Sequence, residues 1–136
     1  FTGRVNVKDY LGKMDFTLLT SISEGQPLTI LESYAAHKPV IATDVGNCQE
    51  LIYGNDDGFG PAGILTHIMN IEEIAQAMIT MSEDQEERER MGEAGYKRVN
   101  AFYRIEQMKD VYRGIYRELS DRQKLDWTEE PFQIRR

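Results

Sequence analysis

Three observations predict an α/β fold, a parallel sheet with helices on both faces. Two short apolar runs rich in strand formers, residues 16–20 and 39–43, are bounded by polar turn residues. A helix-period segment lies between them, and more follow the second. Strand–helix–strand spacing of this kind builds βαβ units, whose right-handed crossovers lay helices over a parallel sheet.

The elements follow in order. Residues 7–14 read as a short helix with Tyr10, Leu11 and Met14 on one side. The first strand, residues 16–20, ends in a polar loop over 21–26. Pro27 is placed at the first helical position, where a missing N–H costs nothing, and that helix runs to about Ala36. Its apolar stripe is expected at Leu28, Leu31 and Ala35. The second strand, 39–43, leads through the turn Asp44-Val45-Gly46-Asn47 into one or two helical turns over 48–53. Residues 54–61 form a loop by their Gly, Asn, Asp and Pro content, and 63–66 a short edge strand. Residues 71–81 are helical with Ile71, Ile74, Ala75 and Met78 on one face, and two further helices cover 83–102 and 105–119. The expected division is a partial domain over 1–119 and a polar tail over 120–136. Two central strands, an edge strand and a stub at Phe1 are fewer than the five or six of a doubly wound sheet, so the front of the domain is expected to lie upstream.

Composition narrows the function classes. The 136 residues, 40% hydrophobic and 29% charged, fit a soluble globular domain. A net charge of -7 argues against nucleic acid and anionic membrane surfaces as partners. No apolar run is long enough to span a bilayer, and no signal peptide is legible. Cys48 is the single cysteine, which fits a reducing, cytoplasmic setting.

Ligands of open parallel sheets bind outside the carboxyl ends of the strands, which here means the loops 21–26 and 44–47. The first reads Ser21-Ile22-Ser23-Glu24-Gly25-Gln26-Pro27-Leu28, with Glu32 further along the helix. Gly25 allows close approach of backbone to ligand, and the opening amides of the helix form a ready anion site without any basic side chain. With Pro27 lacking an N–H, Gly25, Gln26, Leu28 and Thr29 are the candidate donors to a diphosphate. Glu24, just before the helix, is placed to accept from sugar hydroxyls, and Glu32, at the border of the apolar stripe, from a ribose. Ser21-x-x-Glu24 also matches a capping box, but that helix would carry Pro27 in its interior at a cost of about 3 kcal/mol.

The run Glu24-Gly25-Gln26-Pro27 … Leu31-Glu32, with Ala35-Ala36-His37-Lys38-Pro39-Val40-Ile41-Ala42-Thr43-Asp44-Val45-Gly46, resembles the Glu-x7-Glu region of the large retaining glycosyltransferase family numbered four. The opening Phe1-Thr2-Gly3-Arg4-Val5 and Gln49-Glu50-Leu51-Ile52 resemble it too. Within it, the segments 20–24, 44–48 and 56–60 look most like the branch serving Pel exopolysaccharide assembly. The resemblance implies the carboxyl-terminal half of a GT-B enzyme, with a Rossmann-like sheet binding a nucleotide-diphosphate sugar such as UDP-glucose for transfer to an acceptor glycan. It implies that Glu24 acts at the donor sugar near the reacting carbon, while Glu32 binds the ribose hydroxyls. Ser23, Gly25, Gln26, Pro27 and Leu28 then line the donor site, with Gly46 and Asn47 as secondary members. No metal or other cofactor is implied. The family's basic residues and uracil-binding segment lie in an amino-terminal region not represented here, so this piece is expected to be inactive alone and to self-associate. Departures are His37, where the family commonly has Gly, and Gln26-Pro27 in place of an aromatic and small pair. A non-catalytic nucleotide-sugar-binding or protein-interaction module, or an epimerase of the same architecture, are the competing readings.

Other candidates read as structural. His37 and His67 lack metal-ligand companions, Asp56-Asp57 reads as a turn, and Cys48 as a small packing residue near the donor site. Residues 83–93 read as a solvated helix face with Glu–Arg pairs. Tyr96, Phe102, Tyr103, Tyr112 and Tyr116 fit helix packing, and Trp127 and Phe132 contact with another domain.

Overall fold

A computed structural model describes residues 3–123. The described residues divide into two compact units, the first ending at Tyr103 and the second beginning at Arg104. The tail beyond 123, with Trp127 and Phe132, lies outside the described residues.

The first unit holds α1 (Lys8–Leu11), β1 (Thr17–Leu19), α2 (Leu28–Ala35), β2 (Val40–Thr43), α3 (Cys48–Tyr53), β3 (Gly63–Thr66), α4 (Ile71–Glu83) and α5 (Gln85–Phe102). Its three strands are parallel in the order β1-β2-β3, with Leu18 beside Ile41 and Ile41 beside Ile64. The α/β class with a parallel sheet and flanking helices is therefore as expected, and β3 is an edge strand.

Side chains of a strand alternate between faces, and β2 divides the core accordingly. Val40 and Ala42 join Ile30, Tyr34, Cys48, Leu51, Ile52 and Ala94 from α2, α3 and α5. Ile41 points the other way, to Ala77 and Met81 of α4 and Met91 of α5. The central strand β2 is thus covered on both faces, as a parallel sheet requires. Against the first face α5 approaches α2 closely. A Cβ on Gly95 would stand 2.4 Å from the Tyr34 ring, so only glycine fits there.

Several expectations shift by a residue or a face. Pro27 is the N-cap of α2, with extended backbone at ψ 111, and not its first helical residue. The buried stripe of α2 is Ile30, Ser33 and Tyr34, whereas Leu28 is 69% exposed. Hydropathy misplaces this face because a serine and a tyrosine occupy it. Both are satisfied there, Ser33 by Thr17 Oγ1 at 2.8 Å and the Thr29 carbonyl, and Tyr34 by the Leu51 carbonyl. In α4 the buried residues are Ala77 and Met81, while Ile71 is 79% exposed. The helix expected from 83 is separated from α4 by Asp84, extended at ψ 92, whose carboxylate accepts the Glu87 N–H at 2.9 Å and caps α5.

His37 adopts the left-handed conformation at φ 56 that its position demands. Its N–H donates to the Tyr34 carbonyl and that of Lys38 to Ser33, which together form a Schellman turn closing α2. The ring stacks on Tyr96 at 3.7 Å and meets Glu93 at 3.2 Å, so the side chain offsets part of the strain a glycine would avoid.

In the second unit α6 (Ile105–Gln123) runs past Leu119, so the segment after 119 begins as helix and not as tail. Arg104 N–H donates to Gln107 Oε1 at its start. No helix among the described residues is long and apolar enough to cross a membrane.

Candidate functional site

Topology brings the two strand-end loops together. The loop 20–27 leaves β1, and the turn 44–47 leaves β2 beside it. Asn47 N–H donates to the Gly25 carbonyl at 3.0 Å, and the Thr43 hydroxyl donates to the Ser21 carbonyl at 2.5 Å. Asp44 N–H reaches on to the Thr66 carbonyl at 2.8 Å, tying in the end of β3.

Gly46 lies at the centre of this junction. Its φ is +52, and a Cβ built on it would stand 2.0 Å from the Glu24 carbonyl oxygen and 2.8 Å from that of Gly25. No side chain fits at such distances, so only glycine lets the turn sit on the Glu24–Gly25 peptide. Gly25 differs. Apart from its chain neighbours Glu24 and Gln26, no described residue places an atom within 4 Å of where its Cβ would stand. Space beside Gly25 is open, and Ser23, Gly25 and Gln26 are all exposed around it.

Glu24 is half-buried, and its Oε1 accepts the Ser21 hydroxyl at 2.7 Å. Ser21-x-x-Glu24 is therefore a side-chain pair and not a capping box, since α2 starts only at Leu28. The amides of Leu28 and Thr29 precede the first intrahelical donor, Ile30 N–H, which bonds the Pro27 carbonyl at 3.2 Å. Pro27 itself is buried. Cys48 is fully buried under the turn. Burial pushes its thiol upward from the ordinary range, and the nearby Glu24 and Asp44 carboxylates add to the shift. A thiol held protonated in this way is a packing group and not a nucleophile.

Glu32 lies elsewhere. It is exposed on α2 and borders a largely apolar cavity of about 350 Å³, walled by Leu11, Met14, Phe16, Leu18 and Ile30 among others. None of residues 20–27 lines it. The structure thus groups Glu24, Gly25, Gly46 and Asn47 at one junction and sets Glu32 on a neighbouring groove.

The histidines are structural, His37 as above and His67 through Nδ1 to Glu73 at 2.9 Å. Asp57 is more than a turn residue. It accepts the Phe59 N–H at 3.0 Å, and it also forms a two-point ion pair with Arg98 at 2.6 and 3.1 Å. Arg98 further donates to the carbonyls of Leu51, Ile52 and Gly60, at 3.0, 3.0 and 2.7 Å. Arg98 was not singled out in the sequence. Its signal there is only one position in an amphipathic helix, and nothing local marks it as buried. Beside this pair Tyr103 donates to Glu50 at 3.1 Å, and burial raises its phenol to about 12.

The family described as Glycosyl transferases group 1 matches residues 1–98. An uncharacterised glycosyltransferase of Methanocaldococcus jannaschii is 31% identical over 115 residues, 85% of this chain and 31% of that protein. N-acetyl-alpha-D-glucosaminyl L-malate synthase of Bacillus anthracis is 32% identical over 111 residues, 82% of this chain and 28% of that one. The chain thus spans less than a third of the curated relatives it matches. Among solved structures, sucrose-phosphate synthase of Thermosynechococcus elongatus superposes with a TM-score of 0.74 over 87% of this chain and 30% of its own, at 24% identity. That likeness carries the fold, of the GT-B type, and the family match carries the class of chemistry: this chain belongs to the group 1 glycosyltransferases.

Proposed function

We propose that the longer protein is a retaining glycosyltransferase of the family numbered four, and that this chain is its donor-binding half. The donor is a nucleotide-diphosphate sugar of the UDP-hexose class, with UDP-glucose the first to test. Its diphosphate lies against the amides of Gly25, Gln26, Leu28 and Thr29 at the start of α2, where the helix dipole favours an anion. Glu24 stands beside the sugar, and Glu32 takes the ribose hydroxyls from its place on α2. Gly46 and Asn47 support the loop from below. The acceptor is a glycan held by a further domain of the longer protein, and the product is a cytoplasmically made polysaccharide or glycoconjugate, an exopolysaccharide of the Pel type if the loop likeness extends to function. Neither metal nor other cofactor takes part.

One observation carries this reading: the loop holding Glu24 is fixed by the next strand-end turn while the space beside Gly25 stays open. Hydrogen–deuterium exchange on the full-length protein tests it. UDP-glucose is expected to protect residues 21–30 and 44–48 and to leave 54–61 unchanged. Protection confined to other segments, or none with any of UDP-glucose, UDP-galactose, UDP-N-acetylglucosamine and GDP-mannose, overturns it. The anomeric configuration of the product, read by nuclear magnetic resonance, decides between retention and inversion.

A further inference from the structure

Glu24 sits outside every helix and strand, so regular backbone bonding does not aim its carboxylate. The structure fixes it in another way. Thr43, the last residue of β2 and 1% exposed, donates its only hydroxyl proton to the Ser21 carbonyl at 2.5 Å. Ser21, with its own peptide held there, donates its only hydroxyl proton to Glu24 Oε1 at 2.7 Å. From the other side Gly46 packs against the Glu24 carbonyl. Each hydroxyl has one proton, so the chain of bonds has one direction, from the buried sheet out to the carboxylate. A hydrogen bond to a charged acceptor is stronger than a neutral one and carries its geometry with it. Among the described residues Oε2 has no hydrogen-bond partner, and the Glu24 side chain is half-exposed.

We propose that Ser21 is a positioning residue for Glu24, with Thr43 as its anchor. Ser21 does not touch the donor. It holds one carboxylate oxygen so that the other meets the sugar at a set angle, and it does so with the sheet as its reference frame. This rests on the reading of Glu24 as the carboxylate at the donor sugar.

The test uses the full-length protein and its hydrolysis of nucleotide sugars, with water as acceptor. The bond from the sugar's anomeric carbon to the diphosphate oxygen breaks, and release of the nucleoside diphosphate is followed. The donor is whichever of UDP-glucose, UDP-galactose, UDP-N-acetylglucosamine and GDP-mannose turns over fastest. Ser21→Ala is expected to lower kcat by about tenfold or more while KM stays within about twofold, as loss of one bond to a charged group predicts. Ser21→Thr, which keeps the hydroxyl, should recover most of that loss, and Thr43→Val should fall between the two. In a Glu24→Gln background, Ser21→Ala should change kcat by less than about twofold, because the charge it positions is gone. Melting curves of the variants separate these effects from misfolding, and Thr43→Val carries the test if Ser21→Ala does not fold. Wild-type turnover by Ser21→Ala, no advantage of Thr over Ala, or full additivity with Glu24→Gln each overturns the proposal. Should Glu24→Gln alone turn over like wild type, or no donor be hydrolysed, the donor-site reading itself fails, and that outcome is distinct.

Discussion

Two acidic residues in glycine-containing loops, Glu24 and Asp57, stand in opposite situations. Asp57 lies between α3 and β3, at the amino end of a strand, and its side chain is 4% exposed against an Arg98 that is 1% exposed. All five guanidinium donors are used, on Asp57 and three carbonyls, so nothing is left for a ligand. Glu24 lies at the carboxyl end of a strand, half-buried, with one hydroxyl as partner. The difference shows how a carboxylate is committed. One saturated by a buried cation holds the fold, and one fixed at a single oxygen is available to chemistry. Position in the sheet agrees, since ligands gather at the carboxyl ends of parallel strands.

Removing the partner of the committed carboxylate should have the largest effect. Arg98→Met leaves Asp57 buried and unpaired and is expected to cost about 3–5 kcal/mol of stability in urea unfolding. A loss below about 1 kcal/mol would show that water replaces the guanidinium, contrary to the closed geometry. The same pair predicts acid sensitivity. The Arg98 hydrogen bonds hold the Asp57 carboxyl below the ordinary carboxylate range. Its contribution to stability is therefore fully present above the unfolded-state value and is lost as pH falls through the depressed folded value. Acid unfolding should accordingly flatten in Asp57→Asn over that range, and an unchanged pH profile would remove Asp57 from the account.

The two carboxylates were unequally legible. Glu24 announces itself, because glycine, proline and a helix start crowd around it within a few residues. Asp57 reads as a turn residue from the same kind of local signal, and its hydrogen bond to Phe59 N–H bears that out. Its partner stands forty-one positions away in sequence. No local rule reaches that far, and only the packing of α5 on α3 brings them together. Similar reasons govern the faces. The strands follow from short apolar runs rich in strand formers and bounded by turn residues, and the parallel sheet from their strand–helix–strand spacing. The buried side of α2 was misassigned because Ser33 and Tyr34 enter the core by satisfying their hydroxyls on other elements, a fact invisible to hydropathy.

Two glycines sharpen the contrast between holding the loop and leaving room beside it. Gly46→Ala places a methyl where the Glu24 carbonyl already is, so it should lower stability and weaken binding of UDP-glucose by tenfold or more, roughly the cost of displacing the whole loop. Gly25→Ala meets no atom within 4 Å beyond its chain neighbours and should keep the wild-type melting temperature while weakening the donor. Equal stability losses in the two would mean that Gly25 serves the fold, and unchanged donor affinity in Gly25→Ala would move the ligand off this loop.

Next in size is the split between the two motif carboxylates, which the structure places on separate features. Glu32→Ala should weaken nucleotide-sugar binding by about 1–3 kcal/mol, the cost of hydroxyls left without partners. Glu24→Gln should instead lower turnover while calorimetric affinity stays near wild type. Identical effects of both substitutions on affinity would erase the distinction between them.

The smallest expected effect is none at all, and it concerns what neutralises the leaving diphosphate. A glycosyltransferase must stabilise that charge as the sugar departs, with a bound cation or with fixed protein dipoles. The opening amides of α2 would supply the second course. They precede the first intrahelical donor, Ile30 N–H, and α2 follows the loop that leaves the carboxyl end of β1 and carries Glu24. Two of the carboxylates near the donor loop are also committed or set apart. Glu24 has one oxygen on Ser21, and Glu32 borders a cavity that residues 20–27 do not line. Asp44, the third, is exposed at the turn. Transfer by the full-length protein is therefore expected to proceed at an unchanged rate in millimolar EDTA. If activity were lost and then restored by magnesium or manganese, the helix start could not be the main counter-charge, and Asp44 would become the first residue to substitute.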